Sequence, residues 1–157
     1  MKNHIKNTSL SILALVSISM TSTAQAGAWK NIAGTMCQTY NSNGEHRVHR
    51  TTTGIVLAQD GAVDVYCPLE VETQYSTPME VWLNYKKSTG SSMWCQLVRR
   101  GYAGSPVATT LFPGLVSGSP GSSFRSLTTY ASGTMTVKCR LYKTGDRIYS
   151  FNHRLLP

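Results

Sequence analysis

From Val63 to Leu69 the chain alternates: Val63, Val65, Cys67 and Leu69 are apolar, and Asp64, Tyr66 and Pro68 fall between them. The same two-residue period recurs in Met79, Val81, Leu83 and Tyr85 against Glu80, Trp82, Asn84 and Lys86. It returns in Met135, Val137, Cys139 and Leu141 against Thr136, Lys138, Arg140 and Tyr142. A period of two places successive side chains on opposite sides of an extended chain, so each stretch predicts a strand with one dry face. A fourth strand is expected over 92–100, with Met93, Cys95 and Leu97 on one phase and Trp94, Gln96 and Val98 on the other. Weaker strand signals cover 54–57, 107–112, 124–130 and 147–151, and helical periodicity is absent after the first 26 residues.

Turn-forming clusters separate these runs: Lys87 to Ser91, Gly101 to Pro106, Pro113-Gly114, Ser117 to Ser123 and Thr144 to Asp146. Several short strands punctuated in this way predict an all-β chain, an antiparallel β-sandwich of jelly-roll type. The Ser/Gly/Pro stretch 117–123 is expected to be a long loop, because the chain beyond it is too short for a second domain and contains Cys139. The strands at 79–86 and 93–100 are expected to form a hairpin, which would set Trp82 and Trp94 on one outer face.

The N-terminus has a different pattern. Lys2 and Lys6 precede an apolar run from Leu10 to Met20, followed by Ala24-Gln25-Ala26. This is the pattern of a signal peptide, with cleavage expected before Gly27. No cysteine comes just after the site to carry a lipid, and no later apolar run approaches the roughly 20 residues of a spanning helix. Residues 27–157 are therefore expected to form a single secreted or periplasmic domain. Lys2 and Lys6 leave with the leader, so 13 of the 15 Lys and Arg remain against 7 acids, a formal +6.

All four cysteines, Cys37, Cys67, Cys95 and Cys139, lie in that domain. An even count in an exported chain predicts two disulfides. A zinc site with four cysteine ligands would need close pairs, whereas the intervals are 30, 28 and 44 residues. Four cysteines allow three connectivities, and spacing alone leaves all three open. Cys67, Cys95 and Cys139 share the apolar phase of their strands, so they should point into the core. Cys37 with Cys67 and Cys95 with Cys139 is the pairing favoured.

The order Cys37-Gln38-Thr39-Tyr40, Cys67-Pro68, Cys95-Gln96-Leu97, Cys139-Arg140-Leu141 and Arg147-Ile148-Tyr149-Ser150-Phe151 resembles a group of small exported bacterial proteins with four cysteines. Their shared pattern runs C-x-x-Y, C-P, C-x-L, C-x-L, R-I-Y-S-Y. The resemblance implies a compact β-sandwich with two disulfides and carries over no catalytic or binding residue. Phe151 stands where that pattern ends in tyrosine.

Few groups invite catalysis. His46 and His49, in Glu45 to Thr52, share a face only on a helix, and the three threonines after them favour an extended chain, so no metal is expected there. Asp60 and Asp64 are spaced loosely like calcium ligands, but an Asp-Gly turn into the 63–69 strand accounts for them with fewer demands. No G-x-S-x-G elbow occurs, and a hydrolase would have to use His153 or the pair Glu70 and Glu72. The chain is therefore expected not to be an enzyme, with no cofactor.

The outer phase is richer. Trp82, Trp94, Tyr66 and Tyr142 face away from the predicted core, rimmed by Asn84, Lys86, Gln96, Lys138 and Arg140. Exposed aromatic rings beside polar groups suit stacking on sugars or on a protein partner. The alternative is a second apolar cluster, covered by the N-terminal segment with Trp29, Ile32 and Met36. Trp82, Trp94, Lys86, Lys138 and Arg140 are the expected binding set. The expected function is a non-catalytic interaction module at the bacterial envelope, or alternatively a carbohydrate-binding or adhesin-like domain. Glycan, anionic envelope polymer and envelope protein are the candidate partners; nucleic acid is not one, and no membrane span is expected.

Overall fold

The computed structural model describes residues 27–69, 71, 77–101, 106–129 and 134–156, with the side chain of Val107 left aside. The expected signal peptide, Glu70 and Glu72 lie outside the described residues. Eleven strands are described: β1 (Lys30–Ala33), β2 (Gln38–Thr39), β3 (Val48–Thr51), β4 (Gly54–Leu57), β5 (Val63–Leu69), β6 (Pro78–Lys86), β7 (Trp94–Arg100), β8 (Pro106–Leu111), β9 (Pro120–Thr128), β10 (Thr134–Leu141) and β11 (Arg147–Leu155). A one-turn helix, α1 (Ser42–Glu45), and a 3-10 turn at Gly34–Met36 complete the set. Asn41 caps α1 by accepting a hydrogen bond from Gly44 N at 3.0 Å.

The strands form two antiparallel sheets. One runs β3-β4-β11-β6-β9, with β1 also paired to β11, and the other runs β2-β5-β10-β7-β8. The inner faces supply one core. Ile55, Leu57, Met79, Val81, Leu83, Tyr85, Ile148 and Phe151 come from the six-stranded sheet, and Val65, Cys67, Leu69, Cys95, Leu97, Val137, Cys139 and Leu141 from the five-stranded one. The fold is thus the expected β-sandwich, and the two-residue period correctly separates inner from outer side chains in β5, β6, β7 and β10.

Both disulfides are those favoured from the sequence, Cys37–Cys67 and Cys95–Cys139. Cys95 and Cys139 are direct cross-strand partners in β7 and β10. Cys37 adjoins β2, whose Gln38 pairs with Tyr66 in β5. Each bridge therefore ties neighbouring strands of the same sheet, on its buried side.

Three expectations are corrected. First, β6 and β7 do not form a hairpin: β6 lies between β11 and β9, and β7 between β10 and β8, so the connection from Lys87 to Met93 crosses from one sheet to the other. Buried Asp146 holds that crossing. Its carboxylate accepts from Ser88 N at 2.8 Å and Ser91 Oγ at 2.5 Å, and from the backbone of Tyr142 and Lys143 at 2.9 and 3.0 Å. Second, the Ser/Gly/Pro stretch is only partly a loop, since β9 begins at Pro120. β9 ends its sheet, and an edge strand tolerates a proline that cannot donate to the ladder. Third, Glu45 belongs to α1 and the strand starts only at Val48, because the Asn41 cap turns the preceding chain into a helical turn.

Candidate binding faces

The sheet assignment divides the expected binding set. Trp82 and Lys86 lie on the outer side of the six-stranded sheet, while Trp94, Lys138 and Arg140 lie on the outer side of the five-stranded sheet, across the core.

On the six-stranded sheet, the register sets Asn31, Asn152, Trp82 and Phe124 side by side across β1, β11, β6 and β9. Trp82 is 41% exposed, and its ring centroid lies 5.1 Å from that of Phe124. In the next row Arg154 pairs with Glu80 at 2.6 Å and covers the ring of Trp29, which is 44% exposed, at 4.7 Å. Trp29 and Trp82 are two strands and one row apart, roughly 12 Å from strand spacing and rise. Between and beside them lies a network of neutral polar groups. Asn31 donates to Asn152 at 2.5 Å, Asn84 to Ser150 at 2.9 Å, and Ser122 to Asn84 at 2.6 Å. Lys86 sits at the far end of the face, paired in register with Arg147 and Pro120. The N-terminal segment covers this face only in part: Trp29 packs on Arg154, Ile32 packs toward the core, and Met36 is exposed.

The five-stranded face is charged. Asp64, Arg140 and Trp94 are consecutive across β5, β10 and β7, as are Tyr66, Lys138 and Gln96. Arg140 grips Asp64 through two hydrogen bonds of 2.5 and 2.7 Å, and Lys138 reaches the same carboxylate at 3.1 Å. The Arg140 guanidinium, opposed by partial burial and aided by Lys138, holds the Asp64 carboxyl below its ordinary range. Burial works against the Lys138 ammonium, but hydrogen bonding to Tyr66 and Asp64 outweighs it and leaves its pKa raised. Lys138 Nζ also sits 5.4 Å from the Tyr66 ring centre and 5.6 Å from that of Trp94, with Arg140 5.6 Å from Trp94. Tyr40, 73% exposed, packs on Tyr66 at 5.5 Å.

The fold is similar to that of solved carbohydrate-binding modules. The chain aligns with a family 35 carbohydrate-binding module from Clostridium thermocellum at TM-score 0.53 and 10% identity, covering 80% of this chain and 97% of that one. It aligns with a module of Cellvibrio mixtus lichenase 5A, solved in complex with cellotriose, at TM-score 0.50 and 10% identity, covering 80% and 95%. It spans 23% of an isomalto-dextranase chain from Arthrobacter globiformis T6, with 80% of this chain aligned, 12% identity and TM-score 0.48. No family model matches the sequence, and no curated protein does. These likenesses are of fold.

The other candidates resolve individually. His153 points inward from β11 and is 2% exposed, so it cannot meet a substrate. His46 and His49 are both exposed, His46 in the turn after α1 and His49 in β3. Asp60 accepts from Thr144 N and Oγ1 at 2.7 and 2.8 Å, while Asp64 serves Arg140 and Lys138, so the two aspartates have separate partners. Among the described residues no group of three His, Cys, Asp or Glu converges as metal ligands. No helix among them is long and apolar enough to cross a membrane. Tyr40, Trp29, Phe124 and Arg154 are not in the set expected from sequence. Their place depends on pairings that join residues far apart in the chain, such as Trp82 with Phe124.

Proposed function

We propose that this protein is a non-catalytic saccharide-binding module, exported from the cell, whose ligand lies on the outer face of the six-stranded sheet. One observation carries the reading: two partly exposed tryptophans, Trp29 and Trp82, stand roughly 12 Å apart among amides, hydroxyls, the Phe124 ring and a Glu80–Arg154 pair, with Lys86 and Arg147 at the far end of the face. Indole rings stack on the C–H face of a sugar ring, and amide and hydroxyl groups satisfy its hydroxyls. A ligand that touches both stations is an oligosaccharide rather than a single ring. The sheet holds Trp82, and Arg154 packs over the ring of Trp29 just before β1, which limits the ordering cost of binding. The likeness of fold to carbohydrate-binding modules, one of them solved with cellotriose, supports this reading. Two disulfides fit an oxidising compartment.

The test is affinity electrophoresis through gels containing neutral β-glucan, xylan, galactan or galactomannan. At least one should retard the protein, and Trp82→Ala should weaken that interaction by roughly tenfold, the scale of one aromatic stacking contact. Retention unchanged in Trp82→Ala, with the fold intact by circular dichroism, would end the proposal.

A further inference from the structure

The opposite face carries a groove of different chemistry. Two depressions flank Tyr40. One, about 220 Å³, is lined by Tyr40, Asn43, Arg47, Asp64 and Arg140; the other, about 310 Å³, by Gln38, Tyr40, Tyr66, Pro68 and Thr136. Tyr40 is the ridge between them, held by its backbone N–H to Asp64 O at 3.1 Å and by its ring on Tyr66. Lys138 stands behind Tyr66. Arg47 and Arg140 line the first depression with one carboxylate, Asp64, and Lys138 reaches that carboxylate from beside Tyr66. Asp60 lies at the Arg47 end, acted on by both Lys143 and Arg47, and Glu45 is taken by Arg50, so the cations around the groove still outnumber its carboxylates.

We propose that this groove is a second binding site, for an acidic polysaccharide whose carboxylated sugars pack on both sides of Tyr40. An excess of cations selects an anion, but charge alone does not explain the exposed tyrosine ridge with amide and hydroxyl groups on either side. A ring-shaped, hydroxyl-bearing anion uses all three: the ring stacks on Tyr40, the hydroxyls meet Asn43, Gln38 and Thr136, and the carboxylate meets the cations. Asp64 has the role of an internal stand-in. It occupies Arg140 and Lys138 until a ligand carboxylate competes for them, which holds both side chains in place and lowers affinity at the same time. This site does not depend on the Trp82 face.

Affinity electrophoresis with polygalacturonate as the probe tests it, with poly-glutamate as a charged chain without sugar rings. Polygalacturonate should retard the protein, less so at high salt, and at least tenfold more strongly than poly-glutamate at equal charge. Tyr40→Ala removes only an exposed ring and should cost roughly tenfold. Asp64→Asn should tighten binding several-fold, which a merely structural aspartate would not do. Trp82→Ala should leave polygalacturonate binding unchanged, so the two sites fail or stand separately. Equal binding of poly-glutamate, or an unaffected Tyr40→Ala variant, would overturn the proposal. So would weaker binding by Asp64→Asn with its fold intact.

Discussion

Asp146 is a fully buried carboxylate whose four donors come from two of the connections that cross between the sheets. Ser88 and Ser91 belong to the link from β6 to β7; Tyr142 and Lys143 belong to the link from β10 to β11. A buried charge is tolerated only when hydrogen bonds replace its hydration, and here three backbone N–H groups and one hydroxyl do so. In Asp146→Ala the Ser91 hydroxyl can rotate to another acceptor, but the N–H groups of Ser88, Tyr142 and Lys143 lose their partner. At about 1 to 1.5 kcal/mol for each, the loss is about 3 to 5 kcal/mol, a large part of the stability of a small domain. In Asp146→Asn one oxygen can still serve Ser91, Tyr142 and Lys143, while the amide group turns its own N–H toward Ser88 N. About half the loss is expected. Urea unfolding followed by tryptophan fluorescence measures both values by linear extrapolation. An Asp146→Ala variant within about 1 kcal/mol of the parent would refute the claim that this carboxylate holds the crossings.

The other predictions concern pH, cross-links and backbone. The pKa of Asp64 is lowered from 3.8 when folded, so its contribution to stability is present above that value and is lost as pH falls through the lower folded value. The parent and Asp64→Asn should therefore differ in urea midpoint near neutral pH and converge as the pH falls below 3.8 and through the lowered folded value; a constant gap would exclude the Arg140 and Lys138 cluster as the cause. Removing the Cys95–Cys139 bridge as a double alanine variant should cost about 4 kcal/mol on the chain-entropy model for its 44-residue separation, read as a fall in the urea midpoint; an unchanged midpoint would count against it. Gly54 has φ +135°, and a Cβ there would stand 2.0 Å from Ile148 O, so Gly54→Ala should lose about 2 kcal/mol or more, and a neutral effect would contradict the placement of β4 on β11.

Alternation alone makes much of the fold legible. In β5, β6 and β10 it identifies the buried residues, in β7 it misses only Val98, which is buried on the outer phase, and through them it gives the inward phase of three of the four cysteines. It is silent on which strands are neighbours. A hairpin between β6 and β7 is the simplest pairing, since successive strands usually are adjacent. What defeats it is the link from Lys87 to Met93, whose Ser88 and Ser91 are bound to a residue 55 or more positions away. Asp146 reads in sequence as the end of a Thr-Gly-Asp turn, because its burial exists only once both sheets are in place. Asp64 likewise reads as half of a calcium-like pair until β10 brings Arg140 beside it. Tyr40 comes after a two-residue strand too short to show any period, and its exposure depends on the sheet edge it closes.

The same missing information governs the candidate site. Side-chain phase says that Trp82 and Trp94 point outward, and the sheet to which each strand belongs decides which outside. Changing one pairing moves Trp94 from beside Trp82 to the far side of a core about 10 Å thick. Lys138 and Arg140 move with it, since they are bound to β7 by register, while Lys86 stays with Trp82, so one mixed patch is divided between a face with Trp82 and a face with Tyr40. Sites this far apart with no shared partners contribute independently. For each ligand the double variant Trp82→Ala with Tyr40→Ala should therefore bind as the single variant at that ligand's own face does. A departure larger than about 0.5 kcal/mol would mean that the faces communicate through the core, with Asp146 and its crossings as the connection to examine.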